Sequence, residues 1–298
     1  MKNYLILLTL FVILVNCSGE NESTEEQAEI VTESKQLNIT ILLDLSDRIE
    51  PTKYPNTPEH FERDIEIVKY FTEIFREDME ERGAFKAKGK LKVIFNPLPE
   101  DKEINKIASE LFIDLSHSNN TTEKKRLFDT MPSTFEENLR KIYRKTIETK
   151  NYPGSDIWRF FKNDVKDFAI TSEGNYRNIL VILTDGYLYH ESSNSKTKNR
   201  SMSLLPDDIH TYGFRNPNWK EKFDNGDYGY ITETNGLDDL EVLVLEINPS
   251  LKHKDDEDVL KLYLTKWFEE MGINHFKLYN SVLPTYTQTR IDDFIQID

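Results

Sequence analysis

The sequence predicts an α/β fold, a doubly wound and mainly parallel six-stranded sheet flanked by helices. Three observations carry this. Six short runs rich in β-branched and aliphatic residues recur along the chain. Segments with apolar residues at helical spacing lie between most of them. Strands joined through helices demand crossover connections, which favour parallel pairing. The chain's 298 residues suffice for a large core, and 17 Phe, 14 Tyr and 3 Trp supply material for it despite only 38% apolar residues.

Leu37 to Leu43 is a nearly continuous β-rich run, the mark of a strand covered on both faces. From Glu59 to about Arg82, Phe61, Ile65, Val68, Phe71, Ile74 or Phe75, and Met79 recur at helical spacing. Leu91 to Phe95 reads as the second strand, stopped by Pro97 and Pro99. Leu111 to Leu115 is either a third strand or a continuation of a helical stretch from Ile104. Phe135 to Thr149 and Ile157 to about Phe168 read as helices, Asn178 to Thr184 and Leu240 to Ile247 as the fourth and fifth strands. Asp255 to Met271 is a helix with Val259, Leu260, Tyr263, Leu264, Trp267 and Phe268 on one side. Asp255, Asp256, Glu257 and Asp258 sit at its positive end, a favourable dipole contact rather than a site. His275 to Tyr279 is the sixth strand, and Thr289 to Ile295 a closing helix.

In the common strand order 3-2-1-4-5-6, the first and fourth strands lie side by side where the winding reverses, and ligands bind beyond their carboxyl ends. The first strand ends in Asp44, Leu45, Ser46, Asp47 and Arg48; the fourth ends in Thr184, Asp185 and Gly186. Tyr152, Pro153, Gly154, Ser155 and Asp156 open a helix between them. Asp44, Ser46, Ser155 and Asp185 would then meet in one crevice. Carboxylates and hydroxyls are hard oxygen donors, suited to Mg²⁺, Mn²⁺ or Ca²⁺ and unsuited to zinc.

These residues make Leu37 to about Asp298 resemble a von Willebrand factor type A domain, a Rossmann-like fold with a metal-ion-dependent adhesion site. In that family the first strand ends in Asp-x-Ser-x-Ser, a loop hydroxyl precedes a helix, and an Asp follows the fourth strand. Asp44 and Ser46 match the opening motif, Ser155 the loop hydroxyl and Asp185 the last position. Arg48 departs from the pattern, standing where the second serine belongs. An arginine cannot coordinate a cation and stays protonated. Either four protein groups and water hold the metal, or Arg48 fills the crevice and pairs with Asp44 or Asp185. Asp47 and Asp156 flank the same positions as possible modulators of the site. Taken singly, Asp-x-Ser and Asp-Gly are ordinary turns, and Ser155 or Asp156 could serve only as a helix cap.

The first residues set an address. Lys2 precedes an apolar run from Tyr4 to Leu14 that ends in Val15, Asn16 and Cys17, so residues 1–16 read as a secretory signal rather than a domain helix. The run resembles a bacterial lipoprotein signal in which Cys17, the only cysteine, receives the lipid; Asn16 replaces the usual small residue before it. One cysteine excludes an internal disulfide framework and any thiolate metal cage. Residues 17–36 then form an acidic, disordered tether carrying six Glu against Lys35. Its acidity resembles the surface-export signal of Bacteroidota lipoproteins. The expected location is the cell envelope, on an outer-membrane lipoprotein facing the periplasm or the surface.

Lys and Arg total 38 against 53 Asp and Glu, a net charge of −15, which argues against nucleic acid or anionic lipid as a main partner. Residues 187–236 are longer than a simple crossover requires. Their aromatics, Tyr187, Tyr189, Tyr212, Phe214, Trp219, Phe223, Tyr228 and Tyr230, either form a recognition surface on the crevice rim or pack onto their own domain. Asp224 to Gly229 lacks three required ligands of a calcium loop. The six histidines show no metal-ligand spacing, and neither a serine-hydrolase elbow nor a Gly-rich phosphate loop occurs. The expected function is therefore not enzymatic. It is a membrane-anchored, cation-dependent adhesion-type module whose metal is completed by a protein or other acidic ligand. The alternatives are a metal-free scaffold subunit of an envelope assembly, or a phosphoryl-transfer hydrolase with Asp44 as nucleophile. The last lacks the second carboxylate such chemistry uses.

Overall fold

A computed structural model describes residues 34–296 apart from 119, 174, 250 and 251. The expected signal at 1–16, the expected lipid acceptor Cys17 and the expected tether as far as residue 33 lie outside the described residues.

Strand β1 (Gln36–Leu43) is buried from Leu37 onward on both faces, as its unbroken β-rich sequence requires. Helix α1 (His60–Lys86) carries a kink at Gly83, whose φ of +72° only glycine adopts without cost. Then come β2 (Lys90–Phe95), α2 (Lys102–Ala108) and β3 (Phe112–Asp114). The stretch at 111–115 is thus a strand, and it pairs antiparallel to β2. Helix α3 (Thr121–Thr149) begins fourteen residues before the predicted Phe135. Asn120 caps it by accepting from the N–H groups of Thr122 and Glu123, and Pro132 is accommodated in its interior.

The helix expected from Ile157 to Phe168 is broken into α4 (Ile157–Arg159), a π-helical turn (Phe160–Asp164) and α5 (Val165–Ala169). Strand β4 (Tyr176–Leu183) leads into an insertion with β5 (Lys196–Thr197), β6 (Arg200–Ser201), α6 (Pro206–Thr211), α7 (Trp219–Asn225) and β7 (Gly229–Tyr230). Strand β8 (Leu240–Ile247), α8 (Asp256–Glu270), β9 (His275–Asn280) and α9 (Pro284–Ile295) complete the domain. Helix α9 starts five residues before the predicted Thr289, with Pro284 in its first turn, where a missing N–H costs nothing.

The main sheet runs β3-β2-β1-β4-β8-β9 and is parallel except at β3. Leu43 lies opposite Leu183 in β4 and Phe95 in β2, so the ends of β1 and β4 are adjacent at the winding reversal. One core packs α1, α3 and α9 on one face, and a second packs α4, α5, α8 and the insertion on the other. The fold is a mostly parallel α/β sheet covered by helices on both faces. Among the described residues no helix is long and apolar enough to cross a membrane.

Most of the aromatics of 187–236 pack onto their own domain, the second of the two readings. Phe214, Phe223 and Tyr230 are fully buried; Phe214 meets Tyr228 edge to face at 4.8 Å, and Phe223 meets Tyr263 of α8 at 5.1 Å. Only Tyr189 among the insertion's large aromatics is well exposed. Asp256 is buried and accepts from Arg215 at 2.9 Å, so the acidic helix start also ties the insertion to α8.

Candidate functional site

The crevice is assembled by backbone. The N–H of Asp44 donates to Leu183 O at 3.3 Å, carrying the β1–β4 pairing one residue past the strands. Gly154 pairs with Leu45 and Ser155 with Tyr189 as isolated antiparallel bridges, while the N–H of Asp156 donates to Asn96 O at 2.6 Å. The helix-opening loop is thereby fastened to the ends of β1 and β2 and to the segment after β4. These pairings bring positions 44, 46, 155 and 185 to the same end of the sheet.

Asp44 is buried, and each of its oxygens is engaged. Oδ1 accepts from the N–H of Ser46 at 2.7 Å, and Oδ2 accepts from Thr184 Oγ1 at 3.3 Å. Asp185 accepts from the N–H of Tyr187 at 3.0 Å in the turn after β4. Gly186 takes φ +95° in that turn, and a Cβ there would press Ile247 and Leu260 at 3.2 Å. Ser155 is buried and its hydroxyl has no hydrogen-bond partner among the described residues. Ser46 forms no side-chain cap on the 3₁₀ turn that follows it at Asp47–Ile49.

Arg48 does pair with Asp44, one of its two expected partners, but its closer partner is Asp64 of α1. Its Nη2 donates to Asp64 Oδ2 at 2.6 Å and to Leu183 O at 3.3 Å, while Nε lies 3.5 Å from Asp44 Oδ2. Tyr143 of α3 donates to the same Asp64 oxygen at 2.8 Å. Burial opposes the Arg48 charge, but Asp64 and then Asp44 outweigh it and hold the guanidinium firmly protonated. Burial pushes Asp64 up to about 6, against the pull of Arg48. Burial and the Asp64 charge push the Tyr143 phenol far above its ordinary value, so it stays a donor.

Sequence reasoning missed Asp64 and Tyr143. Asp64 had a visible signal, since it sits between Phe61, Ile65 and Val68 on the apolar stripe of α1. A charge on a buried stripe requires a partner. Beside this network, Arg63 grips Glu246 with two hydrogen bonds at 2.6 and 2.7 Å, which holds Glu246 at a left-handed φ of +70° near the end of β8.

The flanking positions have structural tasks. Asp47 is half-buried and pairs with Lys53. Asp156 caps α4 by accepting from the N–H of Arg159 at 3.0 Å and accepts from Ser193 Oγ at 2.7 Å, and His190 lies 3.3 Å away. Among the described residues no group of three His, Cys, Asp or Glu is placed to hold a metal. The expected set is different in kind, two carboxylates and two hydroxyls.

Burial, reinforced by the charge of Asp44, raises the Asp185 carboxyl to about 7. A folded acid whose pKa lies above its unfolded value of 3.8 binds its proton more tightly in the folded state. The resulting stabilisation is complete below that value and is lost as pH rises through about 6 for Asp64 and about 7 for Asp185. In EDTA, Asp185→Asn is expected to raise stability at neutral pH by on the order of 2 kcal/mol. Urea midpoints at pH 7 and pH 5 check this, the gain shrinking at the lower pH; identical midpoints for wild type and variant at pH 7 would refute it.

No protein-family model matches the chain, and no curated protein matches it. Among solved structures, the chain is similar to proximal thread matrix protein 1 from the mussel byssus over 88% of this chain and 48% of that one, at 11% identity and a TM-score of 0.36. It is similar to the pilus adhesin SpaC from Lactobacillus rhamnosus GG over 88% of this chain and 32% of that one, at 10% identity and a TM-score of 0.37. The chain spans about half the length of the first structure and a third of the second.

Proposed function

We propose that the crevice holds a divalent cation, Mg²⁺, Mn²⁺ or Ca²⁺, on Asp44, Ser46, Ser155 and Asp185, and that the chain is a binding module of the von Willebrand factor type A kind rather than an enzyme. The observation that carries this reading is the Ser155 hydroxyl, buried and without a partner in a loop fastened beside Asp44. A buried hydroxyl left unpaired costs about 1–3 kcal/mol, so a ligand at that point is favoured. The charge balance supports it too. Asp44, Asp64 and Asp185 interact with one another's surroundings and share a single arginine, Arg48. The donors are all oxygen, which suits a hard cation. When bound, the cation supplies an electrophilic position for an acidic group of a partner protein. Anchorage to the outer membrane through Cys17 is supported by the leader sequence and completes the proposal.

Millimolar Mg²⁺ or Mn²⁺ should raise the melting temperature by mass action, with a stabilisation of about 2.7 kcal/mol at a hundred times Kd. Asp44→Ala and Asp185→Ala should each abolish the shift. No shift in the wild type at millimolar metal rejects the cation site.

A second reading is favoured by one distance, the 3.5 Å between Arg48 Nε and Asp44. Here Arg48 is the fixed positive charge and the chain is a metal-free scaffold subunit of an envelope assembly. Under that reading the wild type ignores metal and chelator alike, and Arg48→Ser acquires a metal response.

A further inference from the structure

The second face of the sheet is covered unevenly. Segment 157–169 packs over β1 and β4, while Lys92, Ile94 and Asn96 on the same face of β2 are only half-buried. An open groove of about 840 Å³ lies there, bounded by α2, β3 and the π-helical turn with α5. That is the size of a small-molecule site, roughly 300–1,000 Å³. Leu98, Phe112 and Phe168, exposed by 69%, 52% and 46%, all line it, with buried Phe160 behind them.

The groove is apolar but not uncharged. Lys92 projects into it with its ammonium 5.5 Å from the Phe168 ring, and among the described residues no carboxylate lies within 4.0 Å of it. The neighbouring Asp114 is taken by Lys90 at 3.6 Å. Asp164, the groove's acid, already accepts from Asn96 at 2.8 Å. Burial, then the charge of Lys90, holds the Lys92 ammonium below its ordinary pKa, a cost that an arriving anion relieves. In a chain of net charge −15, this pocket presents, in an aromatic trough, a cation with no carboxylate in ion-pair contact among the described residues. Lys92 and Asn96, the latter just past the end of β2, are four positions apart, about 13 Å at roughly 3.3 Å per residue, enough for an extended apolar chain.

We infer that this groove binds a carboxylate carried on an apolar chain, with Lys92 taking the head group and Leu98, Phe112, Phe160 and Phe168 enclosing the tail. It uses none of the residues of the cation site.

The test is titration calorimetry and thermal shift with decanoate, decanol and decylammonium, in EDTA so that the cation site plays no part. Decanoate should bind saturably and at least about tenfold more tightly than decanol, the worth of one charge-assisted contact. Decylammonium should not bind. Lys92→Met, which keeps the packed stem, should bring decanoate down to decanol, with Lys92→Gln as a second variant should the first fail to fold. Phe112→Asp should weaken both. Equal affinity for decanoate and decanol in the wild type, or unchanged decanoate affinity in Lys92→Met, overturns the head-group assignment. Absence of decanoate binding overturns the whole inference. If self-association that Phe112→Asp abolishes accompanies that absence, the groove is a protein interface instead.

Discussion

Arg48→Met is expected to cost the fold roughly 3–5 kcal/mol at pH 7, the penalty for stranding a buried charge by removing its partner. Arg48 and Asp64 are 5% and 0% exposed and lie 2.6 Å apart, with Asp44 also within reach of the guanidinium. Without the arginine, two buried carboxylates lose their shared cation, and among the described residues the Tyr143 hydroxyl remains to Asp64 and the Ser46 N–H and Thr184 hydroxyl to Asp44. Protons can then do what the guanidinium did. The variant's deficit should shrink on going from pH 7 to pH 5, because Asp64, held up to about 6 by burial even beside the arginine, gains its proton in the folded state before it does so unfolded. Urea unfolding of both proteins at the two pH values measures it. A deficit under about 1 kcal/mol at pH 7, or one that grows on acidification, contradicts the network. Pairing the change with Asp64→Leu should recover much of the loss, since an apolar pair of similar volume often replaces a buried ion pair without penalty.

Trp267→Ala should cost a comparable 3–5 kcal/mol. Trp267 is 2% exposed and joins three parts of the chain. Its ring meets Phe161 of the π-helical turn at 4.9 Å, Tyr230 of β7 at 5.1 Å and Phe268 at 6.0 Å. Aromatic contacts of this kind contribute beyond the area they bury. Because the Trp267 cluster is one of the insertion's seats on α8, beside Arg215–Asp256 and Arg200–Glu270, truncating the indole should loosen the insertion more than the sheet. Hydrogen exchange checks that distribution: amides of β7 should lose protection while those of β1 and β4 keep theirs. Uniform loss across the sheet would place the cluster's role elsewhere.

Much of the fold was readable from periodicity. The strand order and the adjacency of β1 and β4 follow from alternating strands and helices in one chain, because right-handed crossovers leave few ways to wind a sheet. The elements that were misjudged are those where local pattern and tertiary context disagree. The first half of α3, from Thr121 to Ser133, is densely charged and contains Pro132, so the short stripe of Leu127, Phe128 and Met131 is easily passed over; the Asn120 cap and packing against α1 hold it in place. The break at Phe160–Asp164 is invisible because a π turn repeats nearly the same apolar spacing as the helix around it.

The linear order of residues determined which oxygen-bearing side chains stand near the carboxyl ends of β1 and β4, since position along a parallel sheet is a matter of register and topology. Asp44, Ser46, Ser155 and Asp185 were identifiable on that basis. Which charges neutralise one another was settled by folding. Arg48 stands close in sequence to Asp44, yet its strongest partner is Asp64 on a different element, and Tyr143 approaches from a third. Removal from water makes an ionised group seek whatever counter-charge is nearest in space, and nearness in space between separate elements is written nowhere in a single chain of letters. The inward turn of the insertion's aromatics has the same origin: composition shows how much apolar surface a segment carries, and only the packed chain shows against what it is buried.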